Sequence, residues 1–200
     1  MACTPQNTID SIGSTDASRI GLLLVKIREA GLMGLFLVEI ERRPDERGYF
    51  ARTFCEREFS AAGLPVRFVQ CSVSVNIRKG TVRGLHFQRA PSLEGKLVTC
   101  TRGRIFDVAV DIRPGSPTYR QWAGFELNEE DKTLLYIPPG VAHGFQTLED
   151  EAVVFYQMTE FYRPDLSDGV RWDDPGFAIR WPLAATVISE KDRSLPDFVK

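Results

Sequence analysis

From residue 34 onward, short apolar stretches alternate with polar positions and are separated by turns rich in Gly and Pro. Phe106, Val108, Val110 and Ile112 show the pattern clearly, because these large apolar residues occupy every second position. Successive side chains of a strand point to opposite faces, so this spacing predicts a strand with one apolar face. Many such strands at regular spacing predict an all-β fold, a sandwich or barrel of antiparallel sheet.

The individual elements follow from the same pattern. The predicted strands cover residues 35–40, 49–54, 66–77, 81–88, 96–101, 105–112, 119–127, 133–137, 143–148 and 152–158. A turn is expected over residues 43–48, and a short helix over residues 56–62 with Gly63 as its stop signal. Residues 161–181 mix Pro, Asp, Gly and Trp, which predicts irregular structure on the surface.

The N-terminal part of the chain has a different pattern. Residues 1–17 are polar and rich in Ser and Thr, which predicts poor order. Ile20, Leu23, Leu24 and Ile27 recur at helical spacing, so a short helix is expected over residues 17–30. We therefore predict an extension over residues 1–32 and one main domain over residues 33–200.

The amino-acid composition limits the classes of partner and the compartment that the sequence predicts. The 27 acidic and 25 basic residues give a formal net charge of −2, which does not indicate a basic surface for nucleic acid. Charged residues interrupt the most apolar run, residues 20–40, and no secretory signal is expected, so no membrane partner is predicted. The four cysteines are scattered without a C-x-x-C spacing, which favours the reducing cytoplasm over a disulfide framework.

Both histidines of the chain, His86 and His143, lie in strand-like segments punctuated by glycine. This arrangement fits either a functional site or two hydrogen-bonded histidines of the core. Arg83 precedes His86 by three positions, so a regular strand would place them on opposite faces. A bulge at Gly84 would bring both side chains to one face.

The turn Pro138-Pro139-Gly140, followed by His143, matches the second half of the metal-binding pattern of cupin jelly rolls. Most cupins also supply an H-x-H pair, and this chain has none. A metal centre would therefore need unusual ligands. We predict no metal and no cofactor, and acid–base chemistry at the mouth of a jelly-roll barrel.

Nine short motifs then occur in one order along the chain. They are Asp45-x-Arg47-Gly48-x-Phe50, Phe68-Val69-Gln70, Arg83-Gly84-Leu85-His86, Gly95-Lys96-Leu97-Val98, Phe106-Asp107-Val108-Ala109-Val110-Asp111, Ala142-His143-Gly144-Phe145, Trp172-Asp173-Asp174-Pro175, Ile179-x-Trp181-Pro182 and Ser189-Glu190-Lys191-Asp192. Together they resemble the dTDP-4-dehydrorhamnose 3,5-epimerase family, from about residue 35 to residue 192. The resemblance implies a metal-free cupin-type double-stranded jelly roll, usually a homodimer, that acts on a nucleotide-linked 4-keto-6-deoxy sugar.

The resemblance also implies the roles of three catalytic residues. Epimerisation beside a ketone needs a base for a carbon-bound proton and an acid on the opposite face. His86 is the natural base, since an imidazole has an unperturbed pKa of ~6.5. In the family the matching histidine pairs with an aspartate, here Asp192, and a tyrosine, here Tyr156, is the proton donor.

The substrate is expected to meet a larger group of side chains. Lys96 is a candidate for holding the enolate or sugar oxygens, and Arg83 for the diphosphate, because a guanidinium makes paired hydrogen bonds. His143 is expected to bond the sugar or shape the pocket, with a satisfied core histidine as the alternative. The full set of candidate substrate-binding residues is Arg47, Phe50, Arg52, Gln70, Ser72, Arg83, Lys96, His143, Tyr162 and Lys191.

The chain departs from the family pattern at Arg52, Ser72, Gln157 and Ser167. Many members have Glu, Asn, Lys and an acidic residue there, and several of these positions lie near the nucleotide. The identity of the nucleobase and the choice of C3, C5 or both therefore stay open. Three further possibilities are a single-carbon epimerase of a different nucleotide sugar, a non-catalytic sugar-nucleotide-binding cupin and a metal-dependent cupin oxygenase.

Overall fold

A computed structural model describes residues 25–198 of the chain. Two β-sheets pack against each other, with a separate two-stranded hairpin and two short helices. The strands are β1 (Val25–Glu29), β2 (Phe36–Ile40), β3 (Arg42–Asp45), β4 (Gly48–Ala51), β5 (Gln70–Asn76), β6 (Val82–Gln88), β7 (Lys96–Arg102), β8 (Arg104–Asp111), β9 (Trp122–Asn128), β10 (Leu134–Ile137), β11 (Val141–Thr147), β12 (Ala152–Met158) and β13 (Ser167–Gly169). The helices are α1 (Glu56–Ala61) and α2 (Glu190–Arg193).

The two sheets are antiparallel throughout their strand pairs. One has the order β1-β2-β10-β7-β12-β5, and the other has the order β13-β6-β11-β8-β9. Among the described residues, strands β3 and β4 pair with each other as a separate hairpin. The predicted all-β sandwich is confirmed.

Apolar side chains fill the space between the sheets and also cover their outer faces. Val98 and Val154 of the first sheet meet Ile105 and Phe145 of the second in the central cluster. Phe59 of α1 lies over the outer face of the first sheet, and residues of the C-terminal segment cover the second. Full burial of each such side chain contributes about 1.5–3 kcal/mol, so the apolar pattern fixes which face of each strand points inward.

Strand β8 shows how this pattern leaves polar groups inside. Val108 and Val110, together with Ile112 directly after the strand, pack in the apolar cluster on the outer face of the second sheet, as the alternation predicts. Asp107 and Asp111 lie on the opposite face and are buried. Buried carboxylates require hydrogen-bond donors, and both find them.

The helix predicted over residues 17–30 is wrong where the structure describes it, since Val25–Glu29 form β1. Val25 and Ile27 alternate with Lys26 and Arg28, and pairing with β2 supplies backbone hydrogen bonds that a short isolated helix cannot match. Five residues of the predicted extension thus belong to the first sheet. The rest of that helix, and the expected poor order of residues 1–17, lie outside the described residues.

Other boundaries move by a few residues. The turn predicted at residues 43–48 is mostly strand, because β3 continues to Asp45 and β4 starts at Gly48. The pattern did not predict β13 or α2, which are three and four residues long. Within residues 25–198, no helix has the length and apolar character needed to cross a membrane.

Candidate active site

A bulge between β6 and β11 sets the direction of two side chains. His86 lies opposite His143 and Arg83 lies opposite Phe145, so three steps along β6 match two along β11. Directly opposite residues share a face of the sheet. Because Phe145 packs in the central cluster, Arg83 and His86 both point between the sheets. The predicted bulge at Gly84 is confirmed.

Two glycines let the strands meet at this bulge. A Cβ atom on Gly84 would lie 2.6 Å from the Cα of Gly144, and one on Gly144 would lie 2.6 Å from the carbonyl oxygen of Arg83. Gly84 also has φ +121°, which L side chains rarely adopt. Backbone therefore touches backbone directly beside His86.

A cavity of about 660 Å³ opens between the two sheets at this point. Ten of the thirteen predicted site residues line it. They are Gln70, Ser72, Arg83, His86, Lys96, His143, Tyr156, Tyr162, Lys191 and Asp192.

The other three predicted residues, Arg47, Phe50 and Arg52, do not line this cavity. They belong to the β3–β4 hairpin and the residue after it. Arg47 forms an ion pair with Asp45 at 2.6 Å, and Phe50 is 69% exposed. Within one chain, the structure thus does not bring these three residues into the cavity.

His86 and Asp192 form a hydrogen-bonded pair on one wall of the cavity. Nε2 of His86 lies 2.7 Å from Oδ1 of Asp192, whose Oδ2 accepts from the backbone N–H of Gly84 at 3.3 Å. Ser189 caps α2 by accepting from the backbone N–H of Asp192 at 3.1 Å. The short helix therefore delivers the carboxylate to the imidazole.

The pair is suited to proton abstraction. The side chain of His86 is 39% exposed toward the cavity, whereas that of Asp192 is buried. Burial acts to raise the pKa of Asp192, but the hydrogen bonds from His86 and Gly84 outweigh it and lower that pKa below its usual value. An ionised aspartate orients the imidazole and stabilises its protonated form.

Tyr156 stands on the opposite wall, on β12 of the other sheet. It packs against the central cluster and lies opposite Ser72 in the pairing of β12 with β5. Burial, together with the negative charge of Asp107, raises the pKa of its phenol above the usual value, although Arg83 and a hydrogen bond with Ser74 act in the other direction. The phenol consequently keeps its proton at neutral pH.

His143 is both a satisfied core histidine and a cavity residue. Its Nε2 lies 3.0 and 2.9 Å from the two carboxylate oxygens of Asp107, and the pair is buried. The rings of His143 and Tyr156 meet edge to face with centroids 6.1 Å apart. His143 thus contacts the ring of Tyr156 from the facing sheet.

Cationic groups line the cavity at three points. Arg83 lines the cavity and is held by β5, because its Nε donates to Oδ1 of Asn76 at 2.7 Å and its Nη2 to the carbonyl oxygen of Val75 at 3.5 Å. Lys96 begins β7 and pairs with Glu94 at 3.2 Å. Lys191 lies next to Asp192 on α2. Two carboxylates, Glu94 and Asp192, also line the cavity, so the three cations leave a net positive charge that suits an anionic ligand.

The residue pattern did not predict Glu94, Ser74 or Asp107 as site residues, although each contacts a predicted one. It also did not predict Gln88, which lines the cavity and donates to Glu94. Asp107 had a usable signal, since it is an acidic residue in an apolar strand. Glu94 had a weaker one, because it precedes Lys96 by two positions. Within residues 25–198, His, Cys, Asp and Glu side chains form no group of three or more that could hold a metal ion.

The arrangement defines a class of protein. Two packed sheets that enclose an imidazole–carboxylate pair on one wall and a protonated phenol on the other define a cupin-type fold whose cavity holds the groups that acid–base chemistry requires.

The comparisons with known proteins place the chain more narrowly. The family model of dTDP-4-dehydrorhamnose 3,5-epimerase matches residues 29–200. The dTDP-4-dehydrorhamnose 3,5-epimerase of Methanothermobacter thermautotrophicus is 49% identical over 169 residues, 83% of this chain and 90% of the relative. The dTDP-4-dehydrorhamnose 3-epimerase of Streptomyces niveus is 39% identical over 170 residues, 84% of this chain and 82% of the relative.

A solved structure agrees with these relatives. The epimerase of Legionella pneumophila in complex with dTDP-4-keto-L-rhamnose superposes with a TM-score of 0.79 and 38% identity, over 88% of this chain and 100% of that one. The chain belongs to the dTDP-4-dehydrorhamnose 3,5-epimerase family, and the predicted resemblance is confirmed.

Proposed function

We propose that this protein epimerises a dTDP-linked 4-keto-6-deoxy sugar at C3, C5 or both. The observation that carries the proposal is the position of the His86–Asp192 pair and of Tyr156 on facing walls of one cavity. Inversion of a carbon requires removal of a proton on one face and delivery of a proton on the other. The relatives named above act on the same class of substrate.

The chemistry follows from the positions of the side chains. His86 takes the proton from the carbon beside the ketone, and the electrons of that C–H bond move onto the C4 oxygen to give an enolate. Asp192 stabilises the resulting imidazolium, and the ammonium of Lys96 stabilises the enolate oxygen. Tyr156 then protonates the carbon from the opposite face. Solvent removes the proton from His86 and restores the one on Tyr156.

The nucleotide diphosphate accounts for the remaining cations. We assign the diphosphate to Arg83 and Lys191, because charge-assisted hydrogen bonds to phosphate favour fixed cationic groups. Gln70, Ser72 and Tyr162 lie along the same cavity and suit the sugar and base. Together they bind the substrate while His86 and Tyr156 act on the sugar.

We further propose that the protein acts as a cytoplasmic homodimer. Val73, Val75 and Ile77 are 59%, 60% and 78% exposed and lie on one face at the edge strand β5 and just beyond it. Contiguous exposed apolar residues of this kind mark an interface. In the dimer, the exposed β3–β4 hairpin would carry Arg47, Phe50 and Arg52 to the cavity of the partner, which reconciles their predicted roles with their positions.

The product of such an enzyme is a nucleotide-activated 6-deoxy sugar. We infer that it serves dTDP-rhamnose biosynthesis and the polysaccharides built from that sugar.

A heavy-water exchange experiment tests the proposed activity. The protein is incubated with dTDP-4-keto-6-deoxyglucose in D₂O, and deuterium at C3 and C5 is followed by NMR and mass spectrometry. We expect incorporation at one or both carbons and loss of incorporation in His86→Ala. Absence of exchange with this sugar and with the same sugar on other nucleobases would refute the proposal.

A single-carbon epimerase is the second candidate, favoured by the 39% identity with the 3-epimerase of Streptomyces niveus. The same experiment separates the two, since such an enzyme labels only one carbon. A panel of nucleobases shows whether the departures at Arg52 and Ser167 change the nucleotide.

A further inference from the structure

Glu94 lines the cavity in the loop between β6 and β7, two positions before Lys96. Its side chain is 7% exposed, and the chemistry described above does not use it. A carboxylate withdrawn from water needs donors around it. Its neighbours therefore indicate its task.

Each oxygen of Glu94 faces a different donor. Oε1 lies 3.2 Å from the ammonium of Lys96, and Oε2 accepts from Nε2 of Gln88 at 2.6 Å. The other end of that amide sets its orientation, because Oε1 of Gln88 accepts from the backbone N–H of Arg163 at 3.1 Å. A backbone N–H only donates, so Gln88 turns its NH₂ group toward Glu94.

The site consequently needs an acceptor at both terminal atoms of residue 94. A glutamine has the same shape but one acceptor and one donor. It would face either Lys96 or Gln88 with an N–H group, and one of the two contacts would be lost. A carboxylate satisfies both ends at once.

The lysine also needs this partner. The side chain of Lys96 is only 17% exposed, and a buried ammonium requires a counter-charge. Its stem has four flexible carbons, so a contact at the end is what fixes the nitrogen. Glu94, anchored through Gln88 to the backbone of Arg163, provides such a contact.

We propose that Glu94 is a positioning residue that holds the ammonium of Lys96 where the enolate oxygen develops. The inference rests on the proposed function, in which Lys96 stabilises that oxygen. Stabilisation by a cation depends on its being in place before the charge appears, and a shift of about 1 Å costs on the order of 100-fold in rate. Glu94 acts through Lys96 and not on the reacting carbons.

A double-mutant cycle tests the proposal in the full-length protein. Glu94→Gln, Lys96→Met and the double variant are compared for kcat and KM with dTDP-4-keto-6-deoxyglucose, with dTDP binding measured separately. We expect Glu94→Gln to lower kcat about 10- to 100-fold, with KM and dTDP affinity within about threefold of wild type. In the Lys96→Met background the same substitution should change kcat by less than about threefold, because the lysine it positions is gone.

Glu160→Gln is the matched control. Glu160 accepts from the hydroxyl of Ser92 at 2.9 Å on a neighbouring segment, whereas Lys96 pairs with Glu94. We expect its kcat to stay within about twofold of wild type. Equal losses in the two variants would indicate a general effect of removing a carboxylate and would overturn the proposal.

Two other results would also overturn it. One is a wild-type kcat in Glu94→Gln, and the other is a loss of the same factor with and without Lys96. If Glu94→Gln does not fold, as thermal unfolding would reveal, Glu94→Asp repeats the cycle with the charge kept and the reach shortened. A wild-type protein without deuterium exchange would instead refute the proposed function itself.

Discussion

Asp192 lies 2.7 Å from His86, although 106 positions separate the two residues in the chain. The contact is made because α2 closes over the bulge of β6 and caps itself with Ser189. The carboxylate is thereby hydrogen-bonded on both oxygens and removed from water. Such a carboxylate fixes both the tautomer and the orientation of its imidazole.

Asp192→Asn should lower kcat by on the order of 10²- to 10⁴-fold, because the amide favours the wrong tautomer and cannot stabilise the imidazolium. Affinity for dTDP should stay within about threefold. Steady-state kinetics and calorimetric binding provide the two measurements. Glu190→Gln, at an exposed acidic position of the same helix that does not line the cavity, is the control and should retain kcat. A fully active Asp192→Asn would contradict the role of the pair.

Tyr156→Phe should separate proton removal from inversion. His86 remains able to remove a proton and return it to the same face, so deuterium should still enter the substrate. Delivery to the opposite face lacks its acid, so epimerised product should fall by about 10²-fold or more relative to exchange. NMR of the sugar ring distinguishes label from inversion. Equal loss of both would assign Tyr156 a different task.

Gly144→Ala should damage stability and rate together. Its Cβ would lie 2.6 Å from the carbonyl oxygen of Arg83, and backbone cannot yield without displacing β6. We expect a loss of about 3 kcal/mol in the free energy of unfolding. The kcat should also fall, because displacement of β6 displaces His86 with it. Gly115→Ala is the control, because a Cβ there would have no atom within 4 Å. It should lower the free energy of unfolding by only about 1 kcal/mol, owing to its φ of +84°, and leave kcat unchanged. Urea unfolding and kinetics check the pair, and similar kcat values in both variants would argue against the role of the close approach.

Asp111 should make an acid-sensitive contribution to stability. Burial acts to raise its pKa, but hydrogen bonds from Arg113, Ser116 and Thr118 outweigh it and set that pKa far below the usual value. A depressed carboxyl pKa stabilises the fold above the unfolded-state value of about 3.9, and this stabilisation is lost as pH falls below it. Asp111→Asn should therefore cost about 3 kcal/mol at pH 7, and the difference from wild type should shrink below about pH 4. Asp165→Asn, at an exposed ion pair, should change little at either pH, and a pH-independent difference for Asp111→Asn would contradict the assignment.

Val75→Lys should weaken self-association. Val75 is 60% exposed at the sheet edge, and a charge there opposes burial of the apolar face. Sedimentation velocity should show a dimer for wild type and a larger monomer fraction for the variant, with kcat/KM lowered if Arg47 serves the partner. Val66→Lys, an exposed valine outside the strands, is the control and should remain dimeric. A monomeric wild type would remove the basis of the proposed dimer.

The strands were predictable wherever one face is apolar and the other is not. The alternation in β8 and the punctuation around His86 and His143 therefore predicted elements that the structure contains. The bulge at Gly84 could be anticipated because this glycine lies between Arg83 and His86, two candidate site residues that a regular strand would place on opposite faces. The helical spacing around Ile27 gave a wrong prediction, since pairing with β2 outweighs the local preference for a helix.

The candidate catalytic residues could be recovered only in part from local pattern. His86 is a rare residue in a distinctive segment, but Asp192 lies in a short tail helix whose contact with β6 no local periodicity reveals. The resemblance to a family supplied Asp192 and Tyr156. Local pattern did not predict Glu94 and Gln88, because their proposed role depends on hydrogen bonds between three segments that meet only in the folded chain.

The contact of Gly84 with Gly144 has a consequence for how this enzyme tolerates change. Where two main chains touch, the height of the imidazole above the sugar is set by peptide groups that every sequence shares. Substitution of neighbouring core residues can then lower the melting temperature while the imidazole of His86 keeps its position. Substitutions accumulated elsewhere in the barrel should accordingly alter robustness well before they alter turnover.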